Sequence, residues 1–96
     1  MHVLVAEIDL HLPAADSLKA KRSIVTSIVR NLDQMPGVAA SEAGHIDVWQ
    51  RTLIGAAAVS GDVSHVQSLM DSIDRYVWSR PEVEVLEIQR SWWEND

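Results

Sequence analysis

The sequence predicts a small α+β domain in the order strand, helix, strand, strand, helix, strand. Three observations carry this: apolar residues alternate near the N-terminus, they recur at three- and four-residue spacing in two later segments, and Pro or Gly punctuates the boundaries. Leu4, Ala6, Ile8, Leu10 and Leu12 share one parity while Glu7, Asp9 and His11 take the other, as in a half-buried strand. Pro13 stops that strand. Asp16 or Ser17 is placed to cap a helix whose stripe is Leu18, Val25, Ile28, Val29 and Leu32, and Met35-Pro36-Gly37 ends it. Val38 to Ala43 reads as a short strand, Gly44 to Val48 as a hairpin connection, and Trp49 to Ser60 as a longer strand rich in small residues. Gly61-Asp62 breaks the chain. Val66, Leu69, Met70, Ile73 and Val77 then form a second stripe, with Asp62 as one cap and Ser64 to Gln67 as a capping box, ending near Trp78. After Arg80-Pro81, Glu82 to Trp92 forms the last strand. Its apolar parity switches between Val85 and Leu86, which predicts a bulge or burial on both faces.

This order is the split βαβ arrangement of a ferredoxin-like fold: a four-stranded antiparallel sheet with two helices on one face. At 96 residues it is a single domain, 1–96, with 91–96 as a short C-terminal tail. Both parities of the third strand are apolar, Leu53, Gly55, Ala57 and Val59 against Ile54, Ala56 and Ala58, so the face away from the helices also calls for cover. A homodimer through that sheet face is the expected cover, with Trp92-Trp93 available to the same contact.

Eight Lys plus Arg against fourteen Asp plus Glu give a formal charge of -6, which argues against indiscriminate binding of polyanions. The cations are not spread evenly: Lys19, Lys21, Arg22 and Arg30 lie between Leu18 and Asn31 without an acid among them. Cysteine is absent, which removes disulfides, thiolate metal sites and Cys nucleophiles. No apolar stretch approaches the roughly 18 residues of a membrane span, and the apolar N-terminal stretch is not preceded by Lys or Arg. A cytoplasmic protein with no membrane partner is expected. The sequence has no nucleophile elbow, no Gly-rich phosphate loop and no His-Glu-x-x-His helix, so the expectation is a non-enzyme without cofactor or metal. Glu7, Asp9 and His11 share a strand face, but successive members are about 7 Å apart, too far for all three to reach one ion easily without help from another element.

In this topology the end of the first strand, the start of the first helix, the hairpin and the Ser79-Arg80-Pro81 turn all gather at one end. That brings together His11, Lys19, Lys21, Arg22, Trp49, Gln50 and Arg51 as a candidate anion- or RNA-binding cluster, with His45 and Asp47 supporting the hairpin. Three cations at a helix N-terminus oppose the macrodipole, and helix N–H groups beside cations suit an anion. Trp49 and Arg51 can stack on a base and hold a phosphate. The interleaved aromatic strand of an RNA-recognition motif is missing, since Phe is absent and Tyr76 is the one Tyr.

His11-Leu12-Pro13, Ser17-Leu18-Lys19-Ala20-Lys21-Arg22, Asp47-Val48-Trp49-Gln50-Arg51 with Leu53 and Gly55, and Val59-Ser60-Gly61-Asp62 together resemble the YlxP-like family of small bacterial proteins, a domain of unknown function. The resemblance covers about residues 3 to 90. It departs at Gly44 and Ile46, where the family's hairpin is more polar. The resemblance implies a ferredoxin-like fold and, through genes encoded beside transcription-elongation, translation-initiation and ribosome-maturation factors, a role near RNA or the ribosome. The expected function is therefore an accessory factor that docks on RNA or a ribonucleoprotein through the cluster. The alternatives are a small-molecule anion sensor using the first helix N-terminus with His11 and Arg51, and a protein-assembly module using the apolar sheet face.

Overall fold

In the computed structural model, which describes residues 1–93, the chain forms β1 (His2–His11), α1 (Leu18–Asp33), β2 (Val38–Gly44), β3 (Arg51–Ser60), α2 (Val63–Trp78) and β4 (Glu84–Trp93). The strands make one antiparallel sheet in the order β2-β3-β1-β4, the ferredoxin-like topology expected. No helix of the described residues is long and apolar enough to cross a membrane.

The period-two pattern of β1 sends Leu4, Ala6, Ile8 and Leu10 into the core. β3 lies opposite in register, Leu4 facing Ala58 and Ile8 facing Ile54, so Ile54, Ala56 and Ala58 are the parity that meets the helices. From the helix layer, Val25, Ile28 and Leu32 of α1 and Val66, Met70, Ile73 and Val77 of α2 close the same core. Leu53, Gly55, Ala57 and Val59 are left on the outer face beside Val3 and Val5.

Both helices begin on sequence-legible caps. Ser17, with φ -162°, accepts the Ala20 N–H on its hydroxyl at 3.0 Å, and Asp62 accepts the Ser64 N–H at 2.9 Å. That backbone hydrogen bond holds the exposed Asp62 carboxyl below its ordinary pKa. α1 ends at Asp33 with Gln34 as its C-cap, and the turn into β2 closes where Gly37 takes φ +85°. A Cβ there would stand 3.1 Å from both Leu69 Cδ1 and the Val59 carbonyl oxygen, so conformation and space both require glycine.

The parity switch in the last strand is a bulge. Glu87 pairs with Asp9 but Val85 pairs with Leu10, leaving Leu86 as the extra residue. Ile88 and Val85 both pack against the core as a result. Several boundaries differ from those expected. The last strand begins at Glu84 and not Glu82; Ser91 and Trp92, expected both to end that strand and to open the tail, pair with Val5 and Leu4; Trp93 of the tail pairs with Val3 as the end of β4; and 94–96 lie outside the described residues. Trp49 and Gln50, expected to enter β3, stay in the β2–β3 connection, where the Gln50 carbonyl accepts the Leu12 N–H at 2.9 Å.

Candidate functional site

The expected cluster does meet at one end of the domain, but three different layers receive its members. His11 and Arg51 are cross-strand partners on the outer sheet face, turned away from α1. Each is engaged there by a carboxylate: the Arg51 guanidinium donates to both Asp9 oxygens at 2.9 Å, and His11 Nδ1 lies 3.1 Å from Glu84 Oε2. Gln50 turns inward along the surface and donates its amide to the Pro13 and Ala15 carbonyls, tying the hairpin to the β1–α1 loop. The Ser79-Arg80-Pro81 turn reaches the middle of α1 and not its first turn, for Arg80 donates to Ser27 at 3.1 Å and is paired with Glu82. The Arg80 hydrogen bond in turn holds the Glu82 carboxyl below its usual pKa.

Lys21 requires the largest correction. Expected to contact phosphate, it is 0% exposed, and its ammonium donates to the carbonyls of His45 at 2.7 Å and Ile46 at 3.0 Å while sitting 2.7 Å from Glu42 Oε2. Glu42 Oε2 also accepts the Thr52 hydroxyl at 2.6 Å. An ammonium has three protons and finds three acceptors here, so no donor is left for a ligand. The signal was present in the spacing: Lys21, Val25, Ile28 and Leu32 stand at i, i+4, i+7 and i+11, and all four are buried. A charge on an apolar stripe must carry its partners inside with it.

What remains on the surface of the first helix is a polar stripe. Lys19, Arg22, Ser23, Thr26, Ser27, Arg30 and Asn31 line an open groove of about 500 Å³ along α1. At 1.5 Å rise per residue the stripe from Lys19 to Arg30 runs about 16 Å. Arg22 stands 4.0 Å from Asp47, both exposed. Among the described residues, the cations without a carboxylate within ion-pair reach are Lys19, Arg30 and Arg75, two of them on this helix. Arg30 belonged to no expected site, although it shared the acid-free segment with the others.

The hairpin tip is a second exposed feature. Ile46 is 55%, Val48 45% and Trp49 51% exposed, in a connection whose first residue, His45, takes the left-handed φ of 56°. Trp49 is thus exposed in the same connection as the aliphatic Ile46 and Val48. The opposite face of the molecule is different again. Its upper half carries Glu7, Asp9, Glu84 and Glu87 against the paired Arg51, and its lower half is apolar, with a shallow 280 Å³ hollow over Val5, Ala39, Gly55 and Ala57. No group of three or more His, Cys, Asp or Glu able to hold a metal ion occurs among the described residues.

Comparison with known proteins agrees with this architecture. A family model described as a protein of unknown function, DUF503, matches residues 3–90. The uncharacterized protein YlxP of Bacillus subtilis (strain 168) is 32% identical over 87 residues, spanning 91% of this chain and 95% of that protein. Among solved structures, the de novo designed protein Foldit4 superposes with a TM-score of 0.53 at 13% identity, covering 93% of this chain and 96% of its own. At that identity the likeness is one of fold alone.

Proposed function

The chain belongs to the DUF503 family, and we propose that it serves as a non-enzymatic accessory factor that docks on RNA or a ribonucleoprotein by laying the outward stripe of α1 along the phosphate backbone. One observation supports this most: two of the three described cations without a carboxylate in ion-pair reach, Lys19 and Arg30, lie on α1 together with Arg22, which is held only at 4.0 Å by the exposed Asp47; the hydroxyls of Ser23, Thr26 and Ser27 lie among them, and no acid lies on the helix before Asp33. Cations and hydroxyls are the side chains that contact phosphate without reading sequence. The sheet face is unsuited to the same ligand, because Glu7, Asp9, Glu84 and Glu87 would repel it. A polyanion would thus approach one side of an otherwise acidic protein, which keeps nonspecific affinity low.

Three phosphate contacts imply a slope of about -2 to -3 in the logarithm of affinity against the logarithm of salt. Fluorescence anisotropy with ribosomal RNA between about 50 and 200 mM salt should return that slope. Lys19→Ala/Arg22→Ala/Arg30→Ala should bring it close to zero without lowering the melting temperature. Salt-independent binding by the native chain, or an unchanged slope in the variant, would rule the reading out.

The hollow on the outer face supports a second copy of the chain as the cover of the apolar sheet half. Val3, Val5, Ala39, Gly55, Ala57, Val59 and Trp93 span about 230 Å² of sheet at ordinary strand spacings. Two copies would bury about 460 Å² through these residues, well below the roughly 1,200 Å² of stable interfaces, so the dimer is a weak one. Sedimentation equilibrium should show dimers growing in above roughly 10 µM. A monomer throughout, up to about 1 mM, would remove the dimer.

A further inference from the structure

We infer that the β2–β3 connection is a preformed apolar knob that enters an apolar pocket, rimmed by basic groups, on a protein component of the ribonucleoprotein that α1 contacts. This rests on the reading of α1 given above and adds the kind of partner. Surface connections are usually polar and mobile. Three of the six residues of this one are apolar, and its backbone is tied down. Ile46, Val48 and Trp49 are each about half exposed within six residues, and the backbone that carries them is held from several sides. Lys21 grips the His45 and Ile46 carbonyls from beneath, the Val48 N–H closes a turn on the His45 carbonyl at 3.0 Å, and the Leu12 N–H and the Gln50 side chain fix the far end to the β1–α1 loop. A connection ordered before binding loses little entropy on binding, so its apolar area is available as affinity.

The chemistry of the tip selects protein over nucleic acid. Bases stack on aromatic and guanidinium planes; of the three tip residues only Trp49 offers one, while Ile46 and Val48 offer neither and fit an apolar pocket. Asp47 stands between them with its side chain 87% exposed and held only at 4.0 Å by the exposed Arg22, a weak pair that leaves its charge to repel phosphate and attract a basic rim. Tryptophan anchored in a pocket and ringed by smaller apolar contacts is a common form of interface hot spot.

The test compares purified Bacillus subtilis ribosomal subunits with the same ribosomal RNA stripped of protein, using the full chain and Ile46→Ser/Val48→Ser/Trp49→Ser. The variant should bind intact subunits at least about tenfold more weakly, bind stripped RNA as the native chain does, and melt at the same temperature within a few degrees. Unchanged binding to intact subunits overturns the proposal, as does an equal loss on stripped RNA, which would place the tip on nucleic acid. If the native chain binds neither target, the α1 reading falls and the knob falls with it. If Lys19→Ala/Arg22→Ala/Arg30→Ala abolishes binding to stripped RNA while the tip variant has no effect on either target, α1 stands and the knob alone is wrong.

Discussion

Lys21→Ala is expected to destabilise the fold by about 3–5 kcal/mol, a large part of the 5–15 kcal/mol that holds a small domain together. The change strands Glu42, whose side chain is 19% exposed, with one hydroxyl donor, and removes the donor that joins the His45 and Ile46 carbonyls to α1. Removing one partner of a buried pair leaves an uncompensated charge, and this costs far more than the pair contributes relative to an apolar replacement. Lys21→Met separates the two effects. Methionine keeps much of the apolar stem in place, so any loss beyond about 2 kcal/mol in that variant belongs to the stranded polar groups. Lys19→Ala, one turn edge away and exposed, should change stability by less than about 0.5 kcal/mol. Equilibrium urea unfolding of the three variants measures all of this. A loss below about 1 kcal/mol in Lys21→Ala would mean that the ammonium is not the clamp described.

The same residue marks the limit of what the sequence discloses. Element order and the second helix cap were legible, and the first cap and the bulge at Leu86 were narrowed to two options each, because all are written locally in periodicity, capping chemistry or a parity switch. The convergence of the hairpin on the first helix was also legible, since antiparallel connectivity leaves it little choice. What connectivity does not decide is the layer to which a side chain turns. Arg51 and Lys21 are both cations at the same end of the domain, yet β3 parity points Arg51 to the outer face toward Asp9, while helical phase points Lys21 into the core toward Glu42. A cluster drawn from proximity in topology therefore mixes three surfaces. The neutralising acids lie 42 and 21 residues away in sequence, and partnership at that range depends on register, which the alternation of β2 and β3 alone does not fix. Arg30 shows the converse. It lies about three turns from the helix start, outside the end-of-domain cluster that connectivity defines, yet it lines the same groove as Lys19 and Arg22.

The apolarity of β3 on both parities left open which face meets the helices, and a pair of neighbouring substitutions separates the two. Ala58→Glu should abolish folding at neutral pH, a loss beyond the 4–5 kcal/mol that marks severe mutations. Ala58 is 0% exposed between Leu4 of β1 and Val38 of β2, and the added chain would overpack a filled core before its charge is counted. The one core cation among the described residues cannot rescue it. Lys21 is held beside Glu42, which faces Ile54, four residues and about 13 Å along β3 from Ala58. A carboxyl without a partner in that position must take up a proton or expel itself by unfolding. Ala57→Glu, one residue earlier, points to the outer face opposite Val5 and Ala39, where water can solvate it, and should cost no more than about 1 kcal/mol. Its effect should appear in assembly, since a carboxylate from each copy would be brought into the apolar contact of the proposed dimer. Circular dichroism melts report the first difference and sedimentation the second. Equal losses of fold in the two variants would mean that both faces of β3 are buried, and a folded Ala58→Glu chain would mean that the inward parity is misassigned.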